Sequence, residues 1–262
     1  MSNVFITGAS SGIGAALARE YAARGATLGL LARRRDALDE LAASLPNPGR
    51  HKVYAADVLD HAALAAACAD FIASVGGADI VIANAGVSHG TLTEYAEDLA
   101  VLELIFATNV SATVATFAPF VASMKRQSAQ GDAPTLVGIA SVAGIRGLPG
   151  AGAYSASKAA ILSYCEALRI EMKPHGIRVV TLAPGYVDTP MTRGNPYPMP
   201  FLMPAERFAR KAADVIAAGT SYRVIPWQMG VLAKLMRAMP NCVYDLAAAR
   251  VRRKPRKLGT VA

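Results

Sequence analysis

Seven short apolar runs alternate with six stretches of helical periodicity along this chain, and that alternation leaves few architectures open. The runs at 3–7, 27–32, 52–55, 79–83, 135–140, 178–183 and 222–226 are rich in Val, Ile and Leu without strict alternation. Continuous apolarity marks a strand whose sheet is covered on both faces. Stretches near 12–24, 35–44, 60–75, 97–126, 154–173 and 205–218 read as the covering helices. Strand–helix–strand succession demands parallel pairing with right-handed crossovers. At 262 residues the chain suits one α/β domain with a sizeable core, and a 53% apolar composition argues against disorder. No internal repeat is visible. The expectation is a doubly wound, parallel, seven-stranded sheet with helices on both faces over residues 1–226. A C-terminal helical extension and basic tail follow over 227–262. The Pro-rich connection 189–204 is long enough to read as a lid.

The turn after the first run is glycine-rich: Thr7-Gly8-Ala9-Ser10-Ser11-Gly12-Ile13-Gly14. Gly8 permits a tight turn, Gly12 lets backbone approach a pyrophosphate, and Gly14 lets helix and strand pack closely. The helix that follows offers free N–H groups and a positive dipole end to phosphate. An NAD-type site places an acid at the end of the second strand. Here that position is Ala32, and Arg33, Arg34 and Arg35 follow at once. A guanidinium matches a 2′-phosphate bidentately, so the reading is NADP(H), with Arg33 and Arg34 as ligands. The alternative is that these arginines only decorate a solvated helix start.

Tyr154 and Lys158 stand four apart on a helical stretch, so their side chains share a face. A free phenol titrates near pH 10, too high for fast proton transfer near neutrality, and a neighbouring ammonium lowers that value. Lys158 therefore reads as the group that tunes Tyr154. Ser141 lies thirteen residues before Tyr154, and in the family that these motifs together resemble, a serine there would donate a hydrogen bond to the substrate oxygen.

Together with Asn84-Ala85-Gly86, these motifs resemble the short-chain dehydrogenase/reductase family over residues 2–226. The glycine spacing is GxxxGxG, the pattern of that family rather than the GxGxxG of longer dehydrogenases. The resemblance implies a Rossmann fold and a catalytic set of Asn109, Ser141, Tyr154 and Lys158. Asn109 would hold a water linking Lys158 to solvent, and Lys158 would also bind the nicotinamide ribose. Ser10 and Ile13 join the glycines in the cofactor turn. Asp57 would meet the adenine amine beside Val58, and Asn84-Ala85-Gly86 would lie beneath the ribose and pyrophosphate. The usual Asn before that triplet is Ala83 here. Pro184, Gly185, Val187 and Thr189 would embrace the nicotinamide.

The function that follows is an NADP(H)-dependent oxidoreductase interconverting a carbonyl and a secondary alcohol on an apolar small molecule. A catalytically idle NADP-binding regulator is the alternative; four intact catalytic positions argue against it. A sugar-nucleotide epimerase or dehydratase fits less well, since no separate substrate domain is visible. The substrate pocket is expected from 87–91, 142–150, Tyr186 and 189–204, with Arg146 and Arg193 as candidate anion ligands. No metal is expected, since the four histidines show no ligand spacing.

A formal net charge of +8 resides mostly in Arg250, Arg252, Arg253, Lys254, Arg256 and Lys257. The body is ordinary, so no nucleic acid is expected, and the basic tail reads as a solvated terminus. Cys68, Cys165 and Cys242 form no paired motif, which suits a reducing, cytoplasmic setting with buried thiols. No apolar run reaches the roughly 18 residues needed to cross a bilayer, and no signal peptide is expected. Residues 227–239 place Met229, Val231, Leu232, Leu235, Met236 and Met239 on one helical side, opposite Gly230, Ala233, Lys234 and Arg237. That side could serve as a substrate lid, a dimer contact or a weak peripheral membrane anchor. Leu102, Ile105, Phe106, Phe117 and Phe120, with Ile161, Leu162, Tyr164 and Leu168, make two helices apolar on several faces. In the resembled family those helices form a two-fold interface, so a homodimer or homotetramer is expected.

Overall fold

Strand β1 (Asn3–Thr7) shows in five residues how the molecule is layered. Val4 and Ile6 face one core, Phe5 faces another, and all three are fully buried. The computed structural model describes residues 2–249 and 254–256. Strands β2 (Thr27–Ala32), β3 (Lys52–Ala55), β4 (Ile80–Ala83), β5 (Thr135–Ile139) and β6 (Arg178–Pro184) join β1 in one sheet. Its seventh member, Tyr222–Ile225, lies at the edge, and the order by residue range is 52–55, 27–32, 3–7, 80–83, 135–139, 178–184, 222–225. Every pairing is parallel. The order reverses between β1 and β4, which creates a crevice at the carboxyl ends of the strands.

On one face lie α1 (Gly12–Ala23), α2 (Arg35–Ser44) and a late helix, Ala205–Ala217. On the other lie α3 (His61–Val75) and, from the run 98–129, helix α4 (Asp98–Phe106), which packs through Val101 and Ile105 on Ala153, and α5 (Ala112–Ala129), followed by α6 (Gly152–Met172). Asp60 starts α3 by accepting from the amides of Ala62 and Ala63 at 3.1 and 2.9 Å, satisfying donors that a helix start leaves free. The run Asp98–Ala129 is long and apolar enough to cross a membrane by length and composition. Here it packs under the sheet through Phe117, Phe120 and Met124.

Several local features depart from the sequence expectation. The helix expected over 97–126 is broken by a π-helical turn, Ala107–Ser111, where one widened turn carries Asn109. The connection 189–204 is not bare loop. It pairs β7 (Val187–Asp188) with β8 (Met203–Pro204) and forms the short α7 (Pro190–Arg193). With Ala205–Ala217 as α8 and Tyr222–Ile225 as β9, the chain continues into α9 (Trp227–Ala238) and α10 (Asn241–Ala248). Helix α9 splits the expected apolar side. Met229 is buried with Gly230 and Ala233, and Met236 and Met239 are half-buried, while Val231, Leu232 and Leu235 are exposed. The reason is size: at Gly230 a Cβ would sit 3.1 Å from Val224, so small residues let the helix approach β9. Cys68 and Cys165 are buried, with burial pushing their thiols up to about 12 and about 11, but Cys242 is exposed. Of the basic tail, Lys254 and Arg256 are hydrogen-bonded to the body rather than solvated. Arg250, Arg252, Arg253 and Lys257 lie outside the described residues. Of the residues expected at a subunit interface, Ile105, Phe117, Phe120, Ile161 and Leu168 are buried within the fold.

Gly29 is a close-packed point of the layer that holds Phe5. Phe5, Phe71 and Phe120 cluster with ring centroids 5.5 and 5.1 Å from Phe5, against the backbone of β2. A Cβ on Gly29 would stand 2.6 Å from Phe5 and 2.8 Å from Phe71. Gly29→Val is therefore expected to destabilise by about 1–3 kcal/mol, the usual cost of overpacking. Urea unfolding measures it, with Gly49→Ala, where a Cβ meets open space, as the control.

Candidate active site

The glycine turn is locked to the end of β4 by two side chains. Thr7 Oγ1 accepts from the amides of Asn84 and Ala85 at 3.1 and 3.2 Å. Asn84 Nδ2 donates back to the carbonyls of Thr7 and Gly8 at 3.0 and 3.2 Å. Gly8 and Gly12 have φ of 67° and 56°, the left-handed region that favours glycine. A Cβ on Gly14 would collide with the Gly8 carbonyl oxygen. Ser11 precedes α1 in extended conformation and makes no side-chain capping bond, so the first amides of α1 stay available. A cradle of small residues under an uncapped helix N-terminus fits a dinucleotide pyrophosphate.

A cleft of about 710 Å³ runs from this turn across the carboxyl ends of the strands. It is lined by Gly8, Ser10, Gly12, Ile13, Arg33, Arg34, Asp57, Val58, Asn84, Ala85 and Gly86 at one end. Ser141, Tyr154, Lys158, Pro184, Gly185, Val187 and Thr189 line the other. Gly14 and Asn109 are the two expected residues that stand behind its wall. At the adenosine end, Arg34 Nη2 donates to the carbonyl and hydroxyl oxygens of Ser10 at 3.3 and 3.2 Å. Arg33 stands 3.9 Å from Asp57, whose other oxygen accepts from the Leu59 amide at 3.0 Å. Two guanidinium groups and a serine hydroxyl thus converge where Ala32 ends β2.

At the far end, Ser141 stands beside Tyr154 in the cleft wall, and its Oγ accepts from the Ala143 amide at 3.1 Å. Lys158 is buried, and its Nζ donates to the Ile139 carbonyl at 2.8 Å. It lies 5.8 Å from the centre of the Tyr154 ring. Asn109 fastens the loop after β4 to the catalytic helix. Its Oδ1 accepts from the Val87 amide at 2.8 Å, and its Nδ2 donates to the Val87 carbonyl and Ser157 Oγ, both at 3.0 Å. Ser157 Oγ in turn donates to the Tyr154 carbonyl at 2.8 Å.

The net effect on Tyr154 is opposite to the expectation: burial pushes its pKa up, and Ser141 opposes the rise. The Lys158 ammonium donates to the Ile139 carbonyl, and burial pushes its own pKa down to about 8. Arg146 and Arg193 both have partners within the fold. Arg146 caps α9, donating to the carbonyls of Met236, Arg237 and Met239 at 2.9, 3.1 and 2.9 Å. Arg193 is paired with Asp188 at 2.8 Å. Leu104 and Thr108 also line the cleft, and neither carries a sequence signal that separates it from an ordinary helix residue.

The chain resembles known oxidoreductases along most of its length. The chain is 35% identical over 248 residues to an uncharacterized oxidoreductase of Myxococcus xanthus, covering 94% of this chain and 96% of that protein. It is 34% identical over 194 residues to 11-beta-hydroxysteroid dehydrogenase 1A of Arabidopsis thaliana, covering 73% of this chain and 54% of that one. Among solved structures it resembles a 3-ketoacyl-(acyl-carrier-protein) reductase of Brucella melitensis complexed with NADH. That match has a TM-score of 0.78 and 26% identity, over 86% of this chain and 96% of the other. The family model for short chain dehydrogenases matches residues 2–197. With the glycine cradle, the Ser141–Tyr154–Lys158 cluster and the parallel sheet beneath them, this chain belongs to the short-chain dehydrogenase/reductase family of oxidoreductases, which bind a nicotinamide cofactor.

Proposed function

We propose that this protein uses NADP(H) to interconvert a carbonyl and a secondary alcohol on an apolar small molecule. The observation that carries the reading is one cleft with Ser10, Arg33 and Arg34 at its adenosine end and Ser141, Tyr154 and Lys158 at the other. Arg33 and Arg34 hold the 2′-phosphate, and the uncapped start of α1 takes the pyrophosphate. When bound, the nicotinamide supplies or accepts the hydride. Ser141 donates a hydrogen bond to the substrate oxygen and orients it. Tyr154 gives its phenolic proton to that oxygen during reduction and takes one back during oxidation. A raised pKa keeps Tyr154 protonated at neutral pH, the state that reduction requires. Lys158 and Asn109 fix the helix and the loop around it. Leu99, Leu102 and Val114 are exposed on α4 and α5, and pairing of two copies through that face is part of the same reading.

Tyr154→Phe removes the proton and keeps the ring. Turnover with NADPH and a panel of carbonyl compounds is expected to fall at least about a hundredfold, with cofactor affinity retained. Near-normal turnover in the variant would remove Tyr154 from the mechanism.

The double change Arg33→Ala with Arg34→Ala is expected to weaken NADPH binding and leave NADH binding nearly unchanged. Each charge-assisted bond to phosphate is worth roughly 1.5–3 kcal/mol. Calorimetric titration with both cofactors decides, and equal losses would show that the arginines do not read the 2′-phosphate.

Lys158 also predicts a pH dependence. Its folded pKa of about 8 lies below the ordinary 10.5, so the unfolded chain holds more protons between those values. Stability of the cofactor-free protein should rise with pH across that window and be flat below it. Lys158→Met abolishes this contribution. Urea unfolding of both proteins should show the difference shifting towards wild type from about pH 8 to pH 10.5. A constant difference would mean that Lys158 is not desolvated.

A further inference from the structure

Beside the cofactor cleft lies a second cavity, of about 190 Å³, walled mainly by Leu148, Pro149, Tyr186, Tyr197, Met236 and Met239. Among the described residues lining it, Lys254 is the one that carries a charge. It arrives from the far end of the chain on a docked strap. The Gly90 amide donates to the Pro255 carbonyl at 3.1 Å. Arg256 donates to the buried Asp98 at 2.9 and 3.0 Å and to Glu97 at 2.8 Å, with its guanidinium 3.5 Å from the Tyr95 ring centre. A Cβ on Gly90 would collide with the carbonyls of Lys254 and Pro255. The strap is therefore a built contact.

Lys254 Nζ donates to Ser88 Oγ at 2.8 Å. Ser88 sits between Val87 and His89, both of which line the cofactor cleft, so the ammonium stands where cleft and cavity meet. An ammonium has three donors, and Ser88 is a neutral partner for one. Among the described residues no carboxylate lies within ion-pair distance of Lys254, whereas Arg193 and Arg256 are paired and Arg146 caps α9. Burial also pushes the Lys254 pKa down, the mark of a desolvated charge without compensation.

We propose that Lys254 is a substrate-recognition residue that binds a carboxylate carried by an otherwise apolar ketone or secondary alcohol. The proposal rests on the oxidoreductase reading above. A single negative charge matches a single ammonium, while a phosphate dianion would call for a second cation. The apolar wall takes the hydrocarbon body, and Ser141 and Tyr154 take the reacting oxygen.

The test is calorimetry on the full-length protein, with and without NADPH, using hexanoate, octanoate and decanoate and their methyl esters. The expected result is that at least one acid binds about tenfold or more tightly than its ester, equivalent to about 1.4 kcal/mol. Lys254→Met should erase that preference, and Lys254→Arg should restore most of it. Gly90→Ala, whose methyl would push the strap backbone away while leaving the Lys254 side chain chemically intact, should behave like Lys254→Met. NADPH titration shows that each variant is folded, and if Lys254→Met fails that check, Gly90→Ala decides. Equal binding of acid and ester by wild type, no binding of any acid, or an acid preference surviving in Lys254→Met would overturn the proposal. Since binding is read without turnover, failure of the oxidoreductase reading would appear separately, as no NADPH oxidation with any carbonyl.

Discussion

Burial on both faces of the central strands is the constraint on which everything else in this molecule depends. Val4 and Ile6 point into one layer and Phe5 into the other, and none touches water. Neither face of β1 can therefore host a polar site, and chemistry is confined to the strand ends. The strand order reverses between β1 and β4, so the carboxyl ends diverge there and leave a crevice. The glycine turn, the Asn84 triplet, Ser141 and Pro184-Gly185 all sit on that edge because each directly follows a strand.

Polar groups behind the cleft make the edge rigid. Asn109 joins the loop after β4 to α6, and Ser157 passes the connection to the Tyr154 carbonyl. The π turn Ala107–Ser111 carries Asn109 at this junction. Such widened turns occur frequently at functional sites. Lys158 contributes differently: it is a buried charge held by a carbonyl, and its cost is reflected in its lowered pKa. Groups held this way need little reorganisation when a substrate arrives.

The C-terminal segment walls the second cavity beside the cofactor cleft. Helix α9 lies against β9 through its small residues and leaves Trp227, Val231 and Leu235 exposed. Arg146 holds the end of α9 and stacks on Tyr244 of α10. The strap at 254–256 then closes over the loop after β4 by pairing Arg256 with Asp98. The Arg256 guanidinium and the Leu92 amide together hold that carboxyl below its usual range.

The sequence by itself determined the sheet, its covering helices and the family, because these depend on local rules. Continuous apolar runs require covered strands, glycine is the residue that fits the turn over α1, and Tyr154 and Lys158 share a helical face by spacing alone. Close packing and long-range contacts decided the rest. Which side of α9 faces inward depended on Gly230 meeting Val224, two residues on different elements. The direction of the Tyr154 and Lys158 pKa values depended on how deeply the fold buries each. Lys254 and Arg256 look like members of a basic tail, yet Ser88 and Asp98, 166 and 158 residues away, give them partners. No periodicity or motif links residues so far apart in a chain; only the folded sheet brings the end of the molecule back to the loop after its fourth strand.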